Sequence, residues 1–366
     1  MKALLIFNSN DIIIDNTKED IDITNKIVNG GIEKFCKTLY ETFPEIIIPL
    51  CISRKDREDR RTKEIVANAI HKHKPDFLII NDLYQYKSLK SLNFPCVIFF
   101  HVGTSRDVKV LMLTEVLESI RKHNQHLYCV GEKQVNHYVD MLKRIDNYTL
   151  QTSMINGYFT PAYCDNMPFS ETYDVDVITI GRMDYAKNPF AAHKLCKDKL
   201  HSFVLTNAVT HKKDIQNKYI KRHSSWIYPQ ETVYGLPHTE VLQRLSRSKV
   251  YLSTCPQESW GITAMEALGC GVPVVLLTDK TGTHSSEMIP ASSDHVLKVS
   301  KDIKQEEFIK KIQPFLNMTV DDRLAIYEAT NKKHNKDVWK QHFLNIFQRR
   351  ISDISNGVPV LDDFFE

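Results

Sequence analysis

Short, wholly apolar runs alternate with longer segments of helical period along the chain. In the first half KALLIF, EIIIPL, DFLII, CVIFF and HLYCV read as strands. Residues 32–43, 62–73, 109–122 and 133–142 read as the helices between them. Strands that are apolar throughout and joined by helices predict a parallel sheet covered on both faces, a doubly wound α/β domain. The pattern pauses over residues 151–173, a polar stretch with two prolines, and restarts with VDVITI, SFVLT, KVYLS, PVVLL and HVLKV. Two similar units joined by one linker are the simplest account. We place them at residues 1–155 and 156–335, followed by a terminal segment, 336–366, whose helical pattern could run back across the first domain.

Composition narrows the class. With 366 residues, 42% hydrophobic and 25% charged, the chain has the profile of a globular protein long enough for two cores. No apolar run approaches the roughly 20 residues of a membrane span, and residues 3–7 are too short for a signal-peptide core. A soluble, cytosolic protein is expected. The eight cysteines form no C-x-x-C pair, and most lie in apolar runs, so they read as reduced core residues. Lys plus Arg number 48 against 45 Asp plus Glu, a net charge of +3. The charge is uneven: residues 51–75 hold eight basic and four acidic side chains, and residues 187–222 hold nine and two. Such runs suit an anionic ligand or polyanion; ordinary solvated helix faces account for each run alone equally well.

Ligands of doubly wound sheets bind beyond the carboxyl ends of the strands. Eight of only 12 glycines (Gly30, Gly31, Gly103, Gly181, Gly261, Gly269, Gly271 and Gly282) fall in strand-to-helix loops or beside helix starts. A chain sparing with glycine keeps it where backbone must approach something closely. In STCPQESWGITAMEALGCGVPVV, residues 253–275, the backbone N–H groups of about Ser259, Trp260, Gly261 and Ile262, with Thr263 following, would form a helix N-terminus suited to phosphate. Glu258 and Glu266 flank it. Like charge makes them poor phosphate ligands but good acceptors for sugar or ribose hydroxyls. In ITIGRMDYAKNP, residues 178–189, a strand ends at Gly181, and Arg182 and Lys187 follow in a loop. A planar and a point cation together suit a diphosphate. Gly30 and Gly31 open a third such helix, in NGGIEKF.

These motifs resemble the retaining GT-B glycosyltransferases of the glycogen and sucrose synthase type, with their Glu-x7-Glu and G-R-x4-K-N patterns. The resemblance is strong over residues 179–188 and 253–286. It implies two Rossmann-like domains facing across a cleft, the first binding acceptor and the second a nucleotide diphosphate sugar, with a UDP-sugar as first choice. It gives Glu258 the donor-sugar hydroxyls, Glu266 the ribose, and Arg182 and Lys187 the leaving diphosphate. It also gives His101, at the end of CVIFF, a contact to the donor sugar. No bound cofactor or catalytic metal is expected. Asp174-Val175-Asp176 could be the metal-binding D-x-D of the other fold, GT-A, but it precedes a strand instead of ending one.

The layout also resembles the α-glucosyltransferases of T-even phages: a glycine-containing helix start, a strand-end His followed by a Ser, and G-R then Lys after the linker. That resemblance implies double-stranded DNA carrying hydroxymethylated pyrimidines as the acceptor, and the host cytoplasm as the location. The alternatives are a cell-surface polysaccharide, lipopolysaccharide or other glycoconjugate acceptor and, from another class, a non-catalytic nucleotide-sugar-binding module.

Overall fold

A computed structural model describes residues 1–9, 31–53, 59–81, 83–101, 110–131, 135, 156–185, 187–206, 213–222, 232–256, 260–278 and 294–356. In chain order the elements are β1 (Ala3–Ser9), α1 (Gly31–Thr42), β2 (Ile47–Ser53), α2 (Asp59–His73), β3 (Phe77–Ile80), α3 (Leu83–Leu89), β4 (Cys96–Phe100), α4 (Val110–Lys122), β5 (His126–Val130) and β6 (Gly157–Phe159). They continue with β7 (Val175–Ile180), α5 (Ala191–Cys196), β8 (Ser202–Thr206), α6 (Lys213–Arg222), β9 (Thr232–Tyr234), α7 (His238–Ser246) and β10 (Ser248–Ser253). Last come α8 (Ile262–Gly269), β11 (Val274–Thr278), β12 (Val296–Ser300), α9 (Gln305–Leu316), α10 (Val320–Lys333) and α11 (Lys336–Ser355). The chain forms two units, Met1–Ala162 with Trp339–Glu366, and Tyr163–Val338.

The first unit is built on a parallel sheet in the order β2-β1-β3-β4-β5-β6. Every residue of β3, β4 and β5 is buried, as wholly apolar strands require when helices cover both faces. One face packs Ile6, Ile80, Ile98 and Leu127 against Val66, Leu117 and their neighbours from α2 and α4. The opposite face is aromatic. Phe99 of β4 meets Phe35 of α1 at 5.4 Å and Phe343 of α11 at 5.4 Å, and Trp339 lies 4.3 Å from Phe343. Helix α11 therefore supplies part of this unit's core. Its Arg350, fully buried, donates to the Asn124 carbonyl at 2.8 Å and to Gln125 Oε1 at 3.2 Å.

Strand β6 lies within the stretch that reads as an aperiodic linker. Three residues, GYF, are too few to show a period, and pairing with β5 defines the strand: Asn156 N–H donates to Leu127 O at 2.8 Å and Leu127 N–H to Asn156 Oδ1 at 2.8 Å.

The second unit repeats the scheme in the order β12-β11-β10-β7-β8-β9, again all parallel. Val177, Leu252, Val275 and Leu277 pack against Phe308 and Ile312 of α9. A capping box of Thr319 and Asp322 starts α10. That helix sends the buried Arg323 to the Gly271 carbonyl at 2.8 Å and the Ser246 carbonyl at 3.1 Å. Gly271 has φ +76°, and a Cβ there would sit 2.7 Å from Arg323 O and 2.9 Å from the Phe169 ring. This glycine makes room for neighbouring protein. The close approach expected at this glycine is therefore to protein.

In each sheet the strand order reverses once beside the first strand of the unit, between β1 and β3 and between β7 and β10. Such reversals leave a crevice at the carboxyl ends, because the connecting segments leave in opposite directions. All eight cysteines are buried thiols, and burial pushes Cys96 and Cys129 up to about 12. Among the described residues no helix is long and apolar enough to cross a membrane.

Candidate functional site

The reversal between β7 and β10 brings together the two informative segments of the second unit. After β7 the backbone turns at Gly181, whose N–H donates to the Leu205 carbonyl at 3.0 Å. A Cβ on Gly181 would touch the Lys187 side chain at 3.4 Å, so the loop folds back across the glycine. Asp184 organises this loop. One carboxylate oxygen accepts the Lys187 backbone N–H at 2.8 Å, and the other lies 3.2 Å from Nε of the exposed Arg182. Asn188, at φ +41°, is held by the Tyr219 hydroxyl, which donates to Asn188 Oδ1 at 2.9 Å and accepts the Phe190 N–H at 3.1 Å. Arg182 and Lys187 thus project from a loop pinned at both ends.

After β10 the chain reaches Thr254, whose hydroxyl donates to the Lys187 carbonyl at 2.6 Å. The Thr179 hydroxyl of β7 likewise bonds the Leu252 carbonyl of β10. Residues 257–259, with the candidates Glu258 and Ser259, lie outside the described residues. The segment resumes at the buried Trp260 and at Gly261, the N-cap of α8, with φ +78°. That left-handed backbone favours glycine, so the turn into the helix explains Gly261 before any ligand is invoked. Ile262 and Thr263 form the first, half-buried turn of α8. Glu266 sits one turn further on, 5% exposed, with its Oε1 2.7 Å from His238 Nε2 at the start of α7.

In the first unit Gly30 lies outside the described residues, and Gly31 is the first residue of α1. His101 directly follows β4 and is buried between Phe35 and Phe159, each 4.8 Å away by ring centroids. Burial pushes its pKa down to about 3, so at neutral pH it is an uncharged imidazole. Its Nε2 is buried without a hydrogen-bond partner among the described residues, and so is Oδ1 of Asn81, directly after the neighbouring β3. Asn81 Nδ2 donates to the Ile6 carbonyl of β1 at 2.8 Å, across the strand reversal. Buried polar atoms are normally satisfied, so two such atoms beyond adjacent strand ends suit a hydroxyl-bearing ligand.

Asp174 and Asp176 sit at the amino end of β7, paired with Arg247 and Lys249 at 2.8 Å each. They brace the edge of the sheet remote from the carboxyl-end loops. Among the described residues no group of three or more His, Cys, Asp or Glu could hold a metal ion.

Asp184, Thr254, Tyr219 and His238 were not evident from sequence. Asp184 had a local signal, a carboxylate three residues before the amide it caps. The other three lie 31, 67 and 28 residues from their partners and carried none.

Residues 170–333 match the family model described as glycosyl transferases group 1. A curated relative, the UDP-N-acetylglucosamine–peptide N-acetylglucosaminyltransferase GtfA subunit of Streptococcus pneumoniae, is 36% identical over 66 residues. That match spans 16% of this chain and only 13% of the relative. Among solved structures, Anabaena HepE in complex with UDP-glucose has a TM-score of 0.68 at 11% identity, covering 95% of this chain and all (100%) of that one. The lipopolysaccharide outer core galactosyltransferase WaaB, in its apo form, has a TM-score of 0.58 at 13% identity, covering 95% and 100%. Residues 170–333 thus resemble the group 1 glycosyl transferases, in a chain whose two parallel-sheet, Rossmann-like units match the fold of solved GT-B structures.

Proposed function

We propose that the protein is a retaining glycosyltransferase that moves a sugar from a nucleotide diphosphate sugar to an acceptor hydroxyl. The observation that carries this reading is the Thr254 to Lys187 hydrogen bond. It ties the cationic loop after β7 to the start of the Glu258 segment, at the strand reversal where nucleotides bind in such sheets. Arg182 and Lys187 would neutralise the departing diphosphate, and backbone N–H groups of the α8 N-terminus at Gly261, Ile262 and Thr263 would donate to its oxygens. Glu258 and Glu266 would accept the hydroxyls of the sugar and the ribose. UDP is the first choice of nucleotide, supported by the likeness to HepE, solved with UDP-glucose.

In this reading the acceptor oxygen bonds to the anomeric carbon on the face the diphosphate leaves. The bond from that carbon to phosphate oxygen breaks, and the acceptor proton passes to the departing oxygen. No protein nucleophile is needed. Burial, by lowering its pKa, would make His101 a weak general base; it would hydrogen-bond a hydroxyl through Nε2. The first unit would choose the acceptor.

For the acceptor we favour a carbohydrate hydroxyl, which the likeness to a lipopolysaccharide transferase supports. The second reading, hydroxymethylated DNA, rests on the basic runs at 51–75 and 187–222. The test is a panel of UDP-, GDP- and ADP-sugars against simple glycans, lipopolysaccharide core, hydroxymethylated DNA and unmodified DNA, read by mass spectrometry. Transfer to glycans alone supports the favoured acceptor, and transfer to DNA alone replaces it. Nucleotide binding with neither transfer nor donor hydrolysis would leave a binding module and overturn the enzyme reading.

A further inference from the structure

Glu266 is a carboxylate only 5% exposed, on a helix otherwise buried from Ala264 to Gly269. Such a group is costly to bury unless hydrogen-bonded or paired. One partner is unusual in its placement. His238 is the first residue of α7, 28 positions earlier, and its side chain is 49% exposed while its Nε2 lies 2.7 Å from Glu266 Oε1. Gly235, at φ +65°, and Pro237, at φ −54°, shape the short turn that aims it there. One imidazole therefore reaches from the surface to a buried acid at the edge of the proposed nucleotide site.

We propose that His238 is a positioning residue for ribose recognition: it holds the Glu266 carboxylate in the orientation that accepts the ribose hydroxyls of the bound nucleotide. The inference rests on the nucleotide-sugar reading of the site and adds to it a residue outside the motif segments. A carboxylate has about four lone-pair positions, and one N–H donor engages one of them. Holding Oε1 restrains the plane of the group, and in this proposal the ribose hydroxyls bond to its other positions. An acid that must serve a vicinal diol gains from such fixing, because hydrogen-bond strength falls steeply with misalignment. Without His238 the carboxylate would lose this anchor on Oε1, and binding would lose the part that depends on hydroxyls. Affinity for the base and diphosphate would remain.

The experiment is calorimetric titration of the full chain with whichever of UDP, GDP and ADP binds tightest, and with its 2′,3′-dideoxy form. The wild type should prefer the ribose form by about tenfold or more. His238→Ala should weaken the ribose form about tenfold and leave the dideoxy form within about twofold, collapsing the preference. His238→Gln, whose amide still donates, should restore part of it, and Glu266→Gln should lose it. Thermal melts of the three variants control for folding. A His238→Ala protein that keeps the preference, or loses both ligands equally, overturns the inference while the nucleotide reading stands. A wild type that binds none of the three nucleotides overturns both.

Discussion

The hydroxyl of Thr254 and the main-chain carbonyl of Lys187 meet at 2.6 Å, and one level deeper the Thr179 hydroxyl bonds the Leu252 carbonyl in the opposite direction. Two side-chain hydrogen bonds thus stitch β7 to β10 at their carboxyl ends, beyond the ladder that pairs them. They hold a cationic loop against the segment leading to Glu258. Thr254→Val keeps the shape and removes the donor, at a cost of about 1–3 kcal/mol for the carbonyl left without its partner. We expect donor KM to rise about tenfold and the melting temperature to fall by a few degrees. Steady-state kinetics and a thermal melt check both.

Arg182 and Glu258 carry the chemistry in the proposed function. Arg182→Ala and Glu258→Gln should each cut turnover by about 10² or more with the far-ultraviolet spectrum unchanged. Full turnover in both variants would remove the site assignment.

Asp184 performs two tasks, capping the Lys187 amide and holding Arg182. Asp184→Asn retains an oxygen for the amide and loses the charge beside the guanidinium. Asp184→Ala loses both. Activity should therefore fall in the order wild type, Asn, Ala, with the Ala variant down about tenfold or more. Equal activity in the Asn and Ala variants would contradict the capping role.

Buried imidazoles should limit stability in acid. Burial holds His101 at about 3 and His126 and His193 at about 4, against an ordinary 6.5. Below pH 6.5 the unfolded chain takes up these protons and the folded chain does not, so stability falls as pH drops towards 4. It levels off below the folded values. Each group contributes a slope of up to about 1.4 kcal/mol per pH unit within that window. Urea midpoints measured from pH 7.5 to pH 4.5 should decline steeply, and His193→Gln should flatten the slope. A midpoint independent of pH would show these imidazoles to be solvated.

Gly271 tests the reading of a glycine as a packing device. With φ +76° and a backbone oxygen 2.7 Å from any added Cβ, Gly271→Ala should destabilise by about 2–4 kcal/mol through backbone strain and overpacking. Nucleotide affinity should persist at a temperature where the variant is folded. A thermal melt and a binding titration separate the two effects.

Several features of the molecule could be read from short stretches of chain. Among the described residues, ten of twelve strands announced themselves as largely apolar runs, most clearly β3, β4 and β5, whose residues are all buried. The strands β6 and β9 are three residues each, too short for any periodicity, and owe their conformation to a neighbouring strand. Helix α3, seven residues, was missed for a similar reason. The G-R-x4-K-N loop and the turn into α8 were legible because their glycines and cations stand within a few residues of one another.

The chain's own pattern of apolar and polar residues thus determined which segments become strands and helices, and it marked two loops as chemically unusual. Which strands lie side by side was decided only in three dimensions. The placement of β10 next to β7, three strands back in the chain, unites Thr254 with Lys187, and the turn before α7 delivers His238 to Glu266. The physical reason is range. A strand or helix is encoded by neighbours a few residues apart, whereas these contacts join residues 67 and 28 positions apart and form only when both faces of the sheet are buried together.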